Sequence, residues 1–234
     1  MKISVVIPAY NEEKYIGRTL ESVNNLELDG HELDILVIDP GSTDKTFEIA
    51  KKYGARVIKI EYNTIGNARQ QGILRAAGEI VACTDADTIL PKDWIIRHIA
   101  ILKKPGVVCS CGGFRLIDGQ FPIYHLANYV QPIFVWLIYF IFNIVIATGQ
   151  NIVFWKEKAL KIGGFDEKIG VMEDVDFVFR MKNAGKVLYN HNIIIRASGR
   201  RSKEGLNYFF RSCTVLFRYF ILRRSNLGGF PDIR

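Results

Sequence analysis

Three apolar runs in the first ninety residues each deliver an acid. Glu12 follows KISVVIP, Asp39 closes LDILVID, and Asp85 and Asp87 follow IVACT. Asp85 and Asp87 are two apart, so extended backbone turns both side chains the same way. Carboxylates gathered at one place repel unless a cation lies between them, and hard oxygen ligands suit Mg²⁺ or Mn²⁺. Mg²⁺ in particular takes one or two carboxylates and completes its shell with substrate phosphates. The chemistry implied is capture of a divalent ion together with a phosphate-bearing ligand. An Asp-X-Asp triplet is common on surface loops. At the end of a buried strand, beside two other acidic strand ends, it carries more weight. Arg115, Arg200 and Arg201 carry the fork that can clamp an acceptor phosphate, although each taken singly reads equally well as a surface side chain.

These groups meet only if their strands lie side by side. The runs at 2–8, 33–39, 55–60, 78–85 and 107–110 read as strands, and 12–26, 43–53, 65–77 and 92–102 have helical spacing. Strands apolar on both faces and separated by helices predict an α/β domain with a mainly parallel sheet and right-handed crossovers. Ligands of such sheets gather at the carboxyl ends of the strands, which is where the four acids fall. Beyond residue 150 the pattern gives a strand at 151–155, helices at 156–162 and 173–184, and a strand pair at 186–189 and 193–196.

The chain has 234 residues, 49% of them hydrophobic, and a formal charge of +7. Residues 1–195 carry 22 charges of each sign; from Arg196 onward nine Lys/Arg face two acids, so the whole excess lies there. Cations interleaved with Tyr, Phe, Leu and Ile favour an anionic membrane surface. They are too apolar for an arm that tracks nucleic-acid phosphates, so no nucleic-acid partner is expected. The start MKISVVIPAY is interrupted too early for a signal peptide. Cys83, Cys109, Cys111 and Cys213 lack zinc-site spacing and read as buried thiols, which suits a cytoplasmic location. The stretch QPIFVWLIYFIFNIVIATGQN (131–151) looks like a membrane span. Its apolar centre, about 15 residues, reaches only ~22 Å against a hydrocarbon core of ~30 Å. Dipping into the interface, a returning hairpin and packing on the domain remain the alternatives. The first makes the protein peripheral to the membrane.

The motifs PAYNE, IDPGSTD, GNARQQGILRAAGEIV, DAD, TGQNIVFWKEKALKIGGFDE and MEDVD occur in the order that characterises family-2 glycosyltransferases. The chain resembles that family over about residues 2–200. The resemblance implies a single GT-A (Rossmann-like) domain over 1–200. It would comprise a nucleotide-binding half (1–110) and an acceptor half (111–200) with an apolar insert (129–148), followed by a basic amphipathic tail (201–234). It implies an inverting hexosyltransferase that uses a nucleotide-diphospho-sugar donor, a lipid-linked or saccharide acceptor and a divalent metal, working at the cytoplasmic face of the membrane. Pro8, Tyr10 and Glu12 would line the nucleoside pocket, and Asp39 would accept hydrogen bonds from base or ribose. Arg69 would approach the base or diphosphate. Asp85 would meet ribose or metal, and Asp87 would hold the metal. Asp174 would be the general base, with Glu173 beside it orienting the site. Read without the family, the lesser alternative for Asp174 is an acid at a helix start stabilised by the helix dipole. Gly163 and Gly164 read either as a turn that admits substrate or as plain turn chemistry.

One position departs from the pattern: Pro40 stands where the family usually has a second Asp, which bears on pocket shape and nucleotide preference. The Gln-X-X-Arg-Trp sequence of processive synthases does not occur, which argues for transfer of one sugar. Two alternatives accompany this reading, a polyprenyl-phosphate glycosyltransferase and a nucleotide-sugar binding protein without turnover.

Overall fold

The computed structural model describes residues 1–61, 64–200, 202 and 214. Strands β1 (Lys2–Pro8), β2 (Glu32–Asp39), β3 (Arg56–Lys59) and β4 (Ile80–Cys83) alternate with helices α1 (Ile16–Asn24), α2 (Thr46–Lys52) and α3 (Ile65–Arg75). The strands pair in parallel in the order β3-β2-β1-β4. The apolar runs of β1 and β4 have a direct cause. In β1, Ile3, Val5 and Ile7 face one layer of core and Val6 the other, and β4 divides Ile80 and Ala82 from Val81 and Cys83 in the same way. A strand covered on both faces has no solvent-facing position for a polar residue.

The second half departs from a simple continuation. Strand β5 (Thr88–Ile89), helix α4 (Trp94–Leu102) and strands β6 (Val107–Leu116), β7 (Ile152–Trp155) and β8 (Lys186–Ala197) complete an eight-stranded sheet. Strand β7 runs antiparallel between β4 and β6, and β5 pairs antiparallel with β8 at the edge. Four of the seven pairings are parallel, so the sheet is mixed but mainly parallel. The expected boundary between residues 110 and 111 falls inside β6. The expected strand pair after 185 is one strand whose register slips where Gly112 faces Asn190 and Gly113 faces Ile194. The predicted tail, apart from residues 202 and 214, lies outside the described residues.

One buried polar cluster joins the two halves. Asn151 Nδ2 donates to the carbonyls of Gly113 (2.7 Å) and Ile193 (3.1 Å), which fixes its Oδ1 as an acceptor. That oxygen accepts from Trp94 Nε1 at 2.8 Å and from His98 Nε2 at 2.9 Å. His98 Nδ1 is therefore left to accept from Ser110 Oγ, 2.8 Å away. The ring sits neutral, and burial pushes its pKa down to about 4.

The apolar insert begins earlier than the sequence suggested. A helical turn α5 (Ile123–His125), a π-turn (Leu126–Val130) and helix α6 (Gln131–Phe142) form one 20-residue helix from Ile123 to Phe142. Asn143 ends it in the left-handed conformation (φ 52°). The last apolar residues of the insert belong to the core, since Val145 and Ala147 are buried against β6 and β7 residues. Helix α7 (Lys156–Lys161) and helix α8 (Glu173–Met181) then cover the same sheet face as α3.

Candidate active site

The site is built at the carboxyl ends of β1, β2 and β4. Asp39 ends β2 and is 1% exposed. Its Oδ1 accepts from the backbone N–H of Ser42 at 2.7 Å, where Gly41 (φ 91°) turns the chain. Its Oδ2 is buried with no hydrogen-bond partner among the described residues. A buried acceptor left unmatched is costly, and a ligand N–H or O–H would remove that cost. Pro8 closes β1 beside it, paired in register with Ile38, and Tyr10 is partly buried just beyond.

Behind this rim lies Arg69, on the buried face of α3. Thr64 caps that helix, accepting from Asn67 N at 3.0 Å, and its hydroxyl donates to Glu167 O. Arg69 Nη2 donates to Asp85 Oδ1 at 2.7 Å, while Nη1 donates to Glu173 Oε1. Gly149 lies flat against the guanidinium, and any Cβ there would overlap it. The N–H of Gly149 donates to Asp174 Oδ2 at 2.7 Å, and that of Val175 donates to Oδ1 at 2.8 Å. The Phe165 ring underlies the guanidinium, 5.9 Å from its centre, and stacks on Phe177 at 4.1 Å. Arg69, expected near base or diphosphate, is thus 2% exposed and engaged with the acids.

Three carboxylates surround that one cation. Burial, aided by Asp174 and Asp85, outweighs Arg69 and pushes Glu173 up to about 8. Burial also raises Asp174, against Arg69 and its two backbone donors. Burial alone would lower Arg69, but Glu173, Asp85 and Asp174 hold it protonated. At neutral pH one proton therefore stays among the acids. It belongs on Glu173, because Asp174 accepts two N–H bonds that favour its charged form.

A second arginine engages the other acids. Arg200 makes a two-pronged pair with Glu12 (2.8 and 2.6 Å) and reaches Asp87 Oδ2 at 3.2 Å. Its guanidinium lies 5.0 Å over the Tyr15 ring. The segment that carries it is pinned where Ser198 N donates to the Asp87 carbonyl (3.1 Å) and Gly199 N to Asp118 Oδ1 (2.6 Å). The Asp-X-Asp expectation needs correction here. Residues 86 and 87 form a turn rather than extended backbone, so Asp85 and Asp87 face different arginines. Arg200 is no free acceptor clamp in this state. Arg115 donates to the Phe114 carbonyl at 2.9 Å, and Arg201 lies outside the described residues.

A divalent ion fits this rim in one way. Among the described residues no group of three His, Cys, Asp or Glu side chains is placed to hold a metal ion, so most of its ligands would be substrate oxygens. Asp85, 33% exposed and with one oxygen on Arg69, retains coordinating capacity, and Asp87 stands on the same turn. One or two carboxylates with phosphate oxygens are an ordinary Mg²⁺ or Mn²⁺ environment.

Several partners were not evident from the sequence. Gly149 and Gln150 sit in TGQN, a motif visible by resemblance but with no role attached. Gly164 (φ 71°) has a packing reason: a Cβ would strike Gln70, whose Oε1 accepts from Phe165 N at 2.9 Å. Gly163 and Gly164 thus form a turn docked on α3.

The layered sheet and its acidic carboxyl edge define a GT-A fold. The chain belongs to glycosyl transferase family 2, whose family model matches residues 4–163. It is 35% identical over 110 residues to the poly(ribitol-phosphate) beta-N-acetylglucosaminyltransferase TarS of Staphylococcus aureus, which covers 44% of this chain and 19% of that one. A mannosyltransferase of Pyrobaculum calidifontis, solved with GDP-Man and Mn²⁺, superimposes with a TM-score of 0.70 at 20% identity, over 98% of this chain and 65% of the other. Glucosyl-3-phosphoglycerate synthase of Mycobacterium tuberculosis, solved with Mn²⁺, UDP and phosphoglyceric acid, gives 0.66 at 21% identity, over 99% and 80%. The chain spans well under two thirds of some curated relatives, 19% of TarS and 47% of a probable glycosyltransferase, YdaM, of Bacillus subtilis.

Proposed function

We propose that this chain transfers one sugar from a nucleotide-diphospho-sugar to a hydroxyl on a lipid-linked acceptor, with inversion at the anomeric carbon. The observation that carries this reading is Asp174. It is partly buried, held by two backbone N–H groups, and lies in the field of Arg69, whose guanidinium bonds Asp85 at the carboxyl edge of the sheet. Asp39 offers an unmatched buried acceptor to the nucleoside. Asp85 and Asp87 would hold a divalent ion, which when bound supplies positive charge to the departing diphosphate. Gly149 N–H and Val175 N–H fix the Asp174 carboxylate, and each of its oxygens keeps a lone pair for an acceptor O–H. Asp174 takes that proton as the oxygen attacks the anomeric carbon. The new C–O bond forms on the face opposite the departing one, and the breaking bond's electron pair leaves with the nucleotide diphosphate. Glu173 keeps its proton and Arg69 its charge, so neither competes for the transferred proton. A polyprenyl phosphate is already a nucleophile and needs no base, so a positioned Asp174 favours a hydroxyl.

Release of UDP or GDP from a panel of sugar nucleotides, with and without Mn²⁺ and with lipid extracts as acceptors, tests the reading. Nucleotide release that depends on acceptor is expected. Tight donor binding with no release under any condition would make the chain a nucleotide-sugar binding protein.

A further inference from the structure

The helix from Ile123 to Phe142 leaves most of its apolar surface uncovered. Eleven of the fifteen large apolar side chains exposed among the described residues fall between Ile117 and Phe142. No Asp, Glu, Lys or Arg occurs from Gly119 to Trp155. We propose that this helix lies in the interfacial layer of an anionic phospholipid membrane and sets the catalytic domain on the bilayer.

Three observations select a lipid surface. The first is attachment. Asn128 holds the start of the helix to β6, its Oδ1 accepting from Leu116 N (2.7 Å) and its Nδ2 donating to Leu116 O (3.1 Å). Val135 is buried, Tyr139 packs edge-on to Tyr189 of β8 at 5.8 Å, and Lys182 Nζ donates to the Asn143 carbonyl at the far end. The helix is therefore fastened along its length to the sheet that carries the acids. Beyond it, Val145 and Ala147 return at once to the core. At 20 residues the helix is long and apolar enough to span a bilayer. Fastened at Asn128, Val135, Tyr139 and Asn143 to the domain that carries the site, it rests on the membrane instead.

The second observation is the width of the bare surface. At about 100° per residue, Trp136, Phe140, Ile133, Leu137, Ile141 and Phe134 follow one another around the helix, with Phe142 beyond them. Val135 and Tyr139 occupy the remaining side. The uncovered arc from Trp136 to Phe134 is about 160°, bounded by half-buried Ile138 on one side, whereas a stripe that packs against a partner helix is about 100° wide. Acyl chains and headgroups enclose an arc of that width, and a single protein ridge does not.

Charge is the third. Arg115 and Arg196 are register partners on β6 and β8, Arg115 being next in sequence to Leu116, which Asn128 of the helix grips, and Lys182 bonds the Asn143 carbonyl at the helix end. All seven units of excess positive charge arise from Arg196 onward. Aromatic and aliphatic surface rimmed by cations matches the headgroup boundary of an anionic leaflet. On the transfer reading above, such a leaflet is the cytoplasmic face of a membrane that holds the acceptor. Only the identity of the acceptor rests on that reading, because vesicle binding and nucleotide release are separate measurements.

The test uses the full chain with vesicles of phosphatidylcholine alone or mixed with phosphatidylglycerol. Wild-type protein should sediment with the mixed vesicles. Replacing Phe134, Phe140 and Ile141 together by Gln should weaken that binding by at least about tenfold, from the apolar area removed, and leave nucleotide release without acceptor unchanged. A readout that does not depend on the triple variant is quenching of tryptophan fluorescence by brominated lipid, which should disappear in Trp136→Phe. Absence of vesicle binding by the wild type, or unchanged binding by the triple variant, overturns the proposal. So does a lipid-free dimer that the triple substitution converts to monomer without changing vesicle binding, which would make a second copy of the chain the occupant.

Discussion

Arg69 and Glu173, 104 residues apart in the chain, are joined by a buried charge-assisted hydrogen bond that ties α3 to the first turn of α8. Replacing Arg69 by Gln would break its ion pair with Asp85 and leave Asp174 without that counter-charge. Breaking such a pair from one side costs about 3–5 kcal/mol, reduced by whatever protonation relieves. Urea unfolding at neutral pH should show a loss of that order. Arg69→Lys should recover little, since one ammonium group cannot reproduce the fork between Asp85 and Glu173.

Asp174→Asn should reduce transfer by roughly 10²–10⁴-fold, the usual contribution of a positioned base. The amide oxygen can still accept from Gly149 N–H, so the loop should stay in place and donor affinity should hold. Titration of nucleotide binding beside product formation separates the two effects. Full turnover in this variant would remove Asp174 from the mechanism.

Much of this arrangement follows from short-range pattern. Strands β1, β2 and β4 were readable because burial on both faces leaves apolar runs, and their acids stand where chain polarity demands. Three features were not readable, each because it depends on distant pairing. The antiparallel entry of β7 between β4 and β6 leaves no trace in IVFW, which would serve either direction. The Asp85 and Asp87 side chains diverge because a turn, not a strand, carries them. The Arg200–Glu12 pair spans 188 residues, beyond the reach of any local pattern. The insert was ambiguous for another reason: Val145 and Ala147 are core and Ile133 to Phe142 is largely surface, yet all are apolar.

Stability should fall on the acid side because of His98. Its folded pKa, about 4, lies below the ordinary 6.5. As pH drops from about 6.5 the unfolded chain takes a proton that the folded chain refuses, so stability declines through this window until about pH 4. A shift of this size corresponds to about 3 kcal/mol. Urea midpoints of His98→Gln should show a flatter slope between those pH values, on a lower overall stability from the altered Asn151 cluster.

Glu173 should act in the opposite direction. Its folded pKa, about 8, lies above the ordinary 4.5. The unfolded chain releases this proton first, so the stability linked to it is complete below about pH 4.5 and is lost as pH rises through 8. Gln reproduces the protonated carboxyl in shape. Glu173→Gln should therefore unfold with less pH dependence between about 4.5 and 8 than wild type, measured by thermal melts across that range. An unchanged slope would place the shared proton elsewhere.

Arg200 occupies the position that a divalent ion would need at Asp87. Its guanidinium contributes one positive charge 3.2 Å from Asp87 Oδ2 and binds Glu12 through two further bonds. Two unit positive charges at about 4 Å repel by roughly 4 kcal/mol at an effective dielectric of about 20, and a divalent ion by about twice that, less where water screens them. Without donor, Mn²⁺ should therefore bind weakly to the wild type and about tenfold or more tightly to Arg200→Gln. Loss of the free Mn²⁺ resonance on titration gives the affinity directly, independent of turnover. Adding Asp87→Asn should abolish the gain. If Arg200→Gln leaves Mn²⁺ affinity unchanged, the ion does not sit at Asp87, and Asp85 with the donor phosphates must hold it instead.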